Sequence, residues 1–272
     1  MLKTYTYKPL SFFLTAFTIS WALWACAIYV SWQPTMQSLL MPLVLGGIAG
    51  PALASLFILI KSQNKELWHD FIERLRPGRI TKKFIPVVLF LFPCQIILAI
   101  AISLLFGQSA DQFGLSTQSS DQVLQGINAL MIIVVVFLVG PLEELGWRGY
   151  GIDSLKTKFS LFKASLLLGV IWGAWHVPLF LIKNGAYQEI WSLGLVHTSL
   201  YFVDLVLLTI INNWLYYKNN RSILVAIMFH SILDICMSIF HITPVTWIIL
   251  TFILLFTSII IIRKDKELFF NK

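Results

Sequence analysis

The chain has 272 residues, 58% of them hydrophobic and only 12% charged, and its mean hydropathy is +0.80. A soluble domain carries roughly a quarter of its residues as charged groups, so a soluble globular enzyme is excluded, and the same apolar content excludes disorder. What remains is an all-α, polytopic integral membrane protein, with residues 1–272 forming a single membrane domain. The net charge of +7 is read below as a topology signal, and no nucleic acid is expected as a partner.

Apolar runs of about 17–25 residues read as transmembrane helices. Eight occur in chain order, over residues 10–30, 39–60, 84–106, 123 to beyond 142, 161–182, 191–217, 222–240 and 245–262. The first is too long for a signal-peptide core, carries Trp21 and Trp24, and lacks a small-residue cleavage site. With eight spans both termini share one side. Eighteen lysines and arginines then fall on that side: Lys3 and Lys8, seven between 61 and 83, Lys156, Lys158, Lys163, Lys218, Arg221, and four from Arg263 onward. The other side has Lys183 alone, with Arg148 assigned to the membrane itself. This bias places both termini in the cytoplasm, and the short loops suggest a prokaryotic plasma membrane.

The loop 61–83 mixes charges with Leu67, Trp68, Phe71, Ile72 and Leu75. It reads either as an amphipathic helix on the anionic inner leaflet or as a solvated loop. The stretch 107–121, rich in Ser, Gln and Gly, has no basic residue and suits an outer loop. Cys26, Cys94 and Cys236 lie in apolar runs without metal-ligand spacing and are expected to be small hydrophobes.

Ionisable groups within spans are costly and point to function. Glu144 and Arg148 at the end of span four are four residues apart, the favourable order for a helical pair. Glu143 projects about 100° away, so one carboxylate is paired and one is free. In span five, Trp172 and His176 precede Pro178, which should free backbone carbonyls around the histidine. In span seven, His230 and Asp234 share a face, where one orients the other or both address a common atom. Asp204 in span six lies on a stripe with His197, Tyr201 and Leu208, which either glues helices or lines a wet cavity. Measured at 1.5 Å per residue from the nearest cytoplasmic base, Glu143, His176 and Asp234 lie at depths of about 20 Å and His230 at about 14 Å, if span four stays helical to about Leu155. Three helices therefore bring polar groups to one layer.

A glutamate, two histidines and an aspartate suggest water activation, with a buried carboxylate as general base and neighbouring N–H groups stabilising an oxyanion. Glu143, His176 and His230 could also hold zinc. The ordered set Glu143-Glu144-x-x-x-Arg148, Trp172-x-x-x-His176 and His230-x-x-x-Asp234 resembles the CAAX-protease and bacteriocin-processing (CPBP, or Abi) family, which includes the type II CAAX prenyl proteases. The resemblance is strongest over 123–240. It implies an intramembrane glutamic endopeptidase without metal, in peptide processing or bacteriocin self-immunity, with a peptide or protein substrate entering from the membrane or the cytoplasmic face. By this resemblance Glu143 and His176 activate water, His230 and Asp234 form the oxyanion side, and Glu144 and Arg148 hold the motif. Trp172 stands where Phe is commoner, and Asp234 stands where the eukaryotic enzymes have Asn. The alternative is a non-enzymatic protein, either an immunity protein acting by binding or a proton-coupled transporter with Glu143, His176, His230 and Asp234 as its relay.

Overall fold

The computed structural model describes residues 5–114 and 138–271, and the elements they form are all helical. Most of the expected fourth span, 123 to beyond 142, lies outside the described residues, as do 115–121 of the expected outer loop.

Helix α1 (Pro9–Ser31) begins with proline in its first turn, where a missing N–H costs nothing. It buries Phe12, Ala16, Trp24 and Ala27 and leaves Leu10, Leu14 and Tyr29 exposed, one face for protein and one for lipid. The expected second span is broken into α2 (Leu40–Ile48) and α3 (Gly50–Ser62), bent by 47°. Pro51 explains the break, because its ring removes a helix donor and crowds the preceding turn.

Helix α4 (Lys65–Arg74) is capped by Asn64, whose side chain accepts from the Leu67 N–H. The expected helix is present over these residues, where the alternative was a loop. The apolar face, however, serves the protein first: Leu67 and Phe71 are buried, while Trp68 and Ile72 face outward. Helix α5 (Ile85–Leu104) follows.

After the undescribed stretch come α6 (Gly140–Gly146), a π turn over Trp147–Gly151, and α7 (Ile152–Lys156). Helix α8 (Leu161–His176) gives way to a 3₁₀ turn at Val177–Leu181, because Pro178 cannot continue the hydrogen-bond ladder. The short α9 (Ala186–Ser192) precedes α10 (Leu195–Lys218), so Trp191 does not open the sixth span as expected. Gly194, at φ +91°, makes the turn between them, in a region open to glycine and closed to most side chains. Helices α11 (Ile223–Ile239), α12 (Pro244–Lys264) and α13 (Lys266–Phe270) complete the chain.

Five described helices are long and apolar enough to cross a membrane, and the bent α2–α3 pair makes a sixth candidate; α11 is apolar but shorter. The chain is thus an all-α polytopic membrane protein, and the described helices do not by themselves establish eight spans. Cys26 and Cys94 are exposed and Cys236 is buried.

The basic segments gather at one end. There Tyr5 and Lys8 meet Tyr150, Thr81 meets Asn219, Lys156 meets Asn271, and Lys218 pairs with Asp265. Burial opposes ionisation of Asp265, but the bonds from Lys218 and Trp214 outweigh it and hold its carboxyl below the usual range. At the opposite end Lys183 meets Ser31 and Trp32, and Gln112 meets Thr243.

Candidate active site

Helix α6 wedges between α3 and α11, and Gly146 sets how closely it approaches α3. A Cβ there would sit 2.4 Å from the carbonyl carbon of Pro51, so only glycine fits. The approach leaves both glutamates buried, Glu143 at 3% exposure and Glu144 at 0%.

Their surroundings differ. Glu143 Oε2 accepts from the Trp172 indole at 2.6 Å and from the Trp147 indole at 3.1 Å. Glu144 receives Arg148 Nη1 on both oxygens, at 2.7 and 2.9 Å, and its Oε1 lies 2.8 Å from His230 Nδ1. Arg148, 1% exposed, also donates through Nε to Asn213 Oδ1 at 3.1 Å.

The π turn behind the glutamates is itself held. Arg74 of α4, fully buried, donates to the carbonyls of Arg148 and Gly149 at 3.0 and 2.8 Å and to Asp153 Oδ2 at 2.9 Å. Asp153 is further engaged by Arg221, Tyr216 and Tyr217. One buried guanidinium thereby ties α4 to two backbone carbonyls of the turn.

His176 closes α8 with Nδ1 2.8 Å from the Trp172 carbonyl. A carbonyl has no proton to give, so Nδ1 is the donor and, in the neutral ring, Nε2 is an acceptor. His230 Nε2 lies 3.7 Å from Asp234 Oδ2, close but beyond hydrogen-bond range.

Glu143, Trp172, His176, His230 and Asp234 all line one cavity of about 450 Å³. The rest of the wall is mostly apolar, with Asp204, Tyr187 and Tyr201 as further polar members. Among the described residues no three His, Cys, Asp or Glu side chains are grouped so as to hold a metal ion.

Residues 125–236 match the family model described as type II CAAX prenyl endopeptidase Rce1-like. A curated relative from Methanococcus maripaludis, named CAAX prenyl protease 2, is 37% identical over 273 residues, which are 100% of this chain and 99% of the relative. The chain belongs to the CAAX prenyl protease family. It is accordingly a protease with a peptide substrate, embedded in a prokaryotic membrane.

The four residues of this protease expected to do chemistry are thus brought to one cavity, and Glu144 and Arg148 stand behind it as a pair. Trp172 does more than accompany His176, since its indole holds Glu143 and its carbonyl holds His176. Asp204 combines both sequence-based expectations: it lines the cavity and, by accepting from Trp247 Nε1 at 2.7 Å, ties α10 to α12. Sequence reasoning missed Trp147, Asn213, Arg74 and the contact of Glu144 with His230. Two signals were present: Trp147 stands four residues after Glu143, and Asn212-Asn213 interrupts an apolar span.

Proposed function

We propose that this protease is a glutamic endopeptidase in which Glu143 and His176 activate a water molecule against a peptide bond. The observation that carries the reading is the division of labour between neighbouring carboxylates. Glu144 is consumed by Arg148 and His230. Among the described residues Glu143 is held by two indoles through Oε2, with Oε1 left for a water in the proposed scheme, and it faces a cavity shared with His176.

In the proposed step the water oxygen bonds to the carbonyl carbon while its proton passes to Glu143. His176 Nε2 accepts the second water hydrogen as a hydrogen bond and orients the attack. The carbonyl π pair moves onto oxygen on the side of His230 and Asp234. Collapse reforms the carbonyl, breaks the C–N bond and returns the Glu143 proton to the leaving nitrogen, so the residue acts as base and then as acid. No metal enters this scheme. The relative's printed name points to a prenylated CAAX substrate, and the largely apolar cavity wall suits a lipidated peptide delivered from the bilayer.

The test is cleavage of quenched peptides, prenylated and unmodified, by detergent-purified protein beside Glu143→Ala. Cleavage by the natural chain and its loss in the variant are expected. Equal cleavage by both, or by neither, contradicts the proposal.

A further inference from the structure

Among the described residues, the cavity wall is rich in hydrogen-bond acceptors and short of donors. Glu143, Asp204 and Asp234 bring three carboxylates to its wall. The donors beside them are committed: Trp172 Nε1 to Glu143, Trp247 Nε1 to Asp204, and Ser238 Oγ to the Asp234 carbonyl. His176 spends its N–H on Trp172, and His230 is flanked by Glu144 at Nδ1 and Asp234 at Nε2. Trp175 Nε1 has no partner among the described residues but is enclosed in fully buried aromatic packing against Trp24 and Trp147. Amide hydrolysis puts negative charge on the carbonyl oxygen, and donors must already be aimed there. One imidazole N–H beside a carboxylate is thin provision, and Asp234 as a carboxylate adds charge of the wrong sign.

Among the described residues the wall also carries the neutral phenols of Tyr187 and Tyr201, which interact with each other and as a pair leave one O–H to donate. Their rings flank His176, with centroids at 5.7 and 5.9 Å, and pack edge to face on each other at 5.7 Å. They come from separate elements, α9 and α10, and Phe180 braces both rings. Both phenols share the cavity wall with Glu143 and Asp234. A phenol is neutral at physiological pH and keeps one O–H to donate.

We propose that the Tyr187–Tyr201 pair donates a hydrogen bond to the oxygen of the scissile carbonyl as the tetrahedral intermediate forms. The proposal rests on the peptidase reading above. The phenol keeps its proton throughout: it strengthens a hydrogen bond as the π pair becomes an oxygen lone pair, and relaxes when the C–N bond breaks.

The experiment compares steady-state cleavage by the natural chain, Glu143→Gln, Tyr187→Phe, Tyr201→Phe and the double Phe variant. Each Phe keeps the ring packing, and thermal unfolding should be unchanged. At least one Phe variant is expected to lose about 10- to 1000-fold in kcat with KM nearly constant. Adding Asp234→Asn to that variant supplies an amide donor and removes a negative charge, so it should recover part of the loss. Phe variants, the double included, within about threefold of the natural kcat overturn the proposal, as does a loss confined to KM or one equally large beside Asp234→Asn. If the natural chain itself does not cleave, the peptidase reading falls and this proposal falls with it. Phe variants as active as a cleaving natural chain sink this proposal alone.

Discussion

Two neighbouring glutamates diverge because one helical step turns them about 100° apart. Glu143→Gln keeps a carbonyl oxygen for both indoles yet cannot take a proton. The general-base contribution is typically about 100- to 10,000-fold in rate, and a neutral amide is cheaper to bury than a carboxylate. We therefore expect kcat to collapse while thermal unfolding in detergent stays level or rises; a variant retaining more than about a tenth of the turnover contradicts the assignment. Arg148→Ala should behave oppositely, since it strands Glu144 at 0% exposure. Breaking such a pair costs about 3–5 kcal/mol, so folded yield and unfolding temperature should both fall, and normal stability would refute the buried pairing. Metal removal separates the remaining alternatives. Chelation should leave cleavage intact, whereas loss restored by added zinc would assign Glu143, His176 and His230 to a metal.

At the scale of elements, the structure shows why only part of the site was legible. Glu144–Arg148 and His230–Asp234 are pairs four residues apart, and helical geometry alone aligns them. The clamp on the π turn is different. Arg74 reaches Asp153 across 79 positions, and Arg148 reaches Asn213 across 65; no periodicity encodes such partners. The interruptions at Pro51 and Gly194 were visible as residues, but hydropathy averages across them and merged the elements on either side. The close fit of α6 on α3 was likewise hidden, because a glycine's meaning depends on what lies opposite. Gly146→Ala tests it. The added methyl falls within 2.5 Å of the Pro51 backbone, so α6 must shift and carry both glutamates with it. Overpacking of this kind costs about 1–3 kcal/mol, and a displaced base loses alignment. A fall in stability together with at least a tenfold fall in kcat is expected; unchanged kinetics would show that the wedge does not set the glutamates' position.

For the whole molecule, topology follows from two independent lines. The sequence places eighteen basic residues on one side and Lys183 on the other. The structure brings the corresponding segments together: the N-terminal Tyr5 and Lys8 reach Tyr150, Lys156 reaches Asn271 near the C-terminus, and Arg74 and Arg221 meet on Asp153. Lys183, by contrast, lies with Ser31 and Trp32 at the opposite end. Termini on opposite faces would require the contacts of Tyr5, Lys8 and Asn271 to break, so an even number of crossings is expected. Anionic lipid and the insertion bias hold lysine and arginine in the cytoplasm, which orients the basic end inward. The cavity then lies about nine helical residues, or roughly 14 Å, beyond Arg221, within reach of a peptide presented from the cytoplasmic leaflet. Reporter fusions decide the matter. A reporter joined after Lys272 should be active only in the cytoplasm, and one joined after Asn184 only outside. An outward C-terminus, or both fusions on one side, would overturn the inward placement of the basic end and the cytoplasmic approach to Glu143 with it.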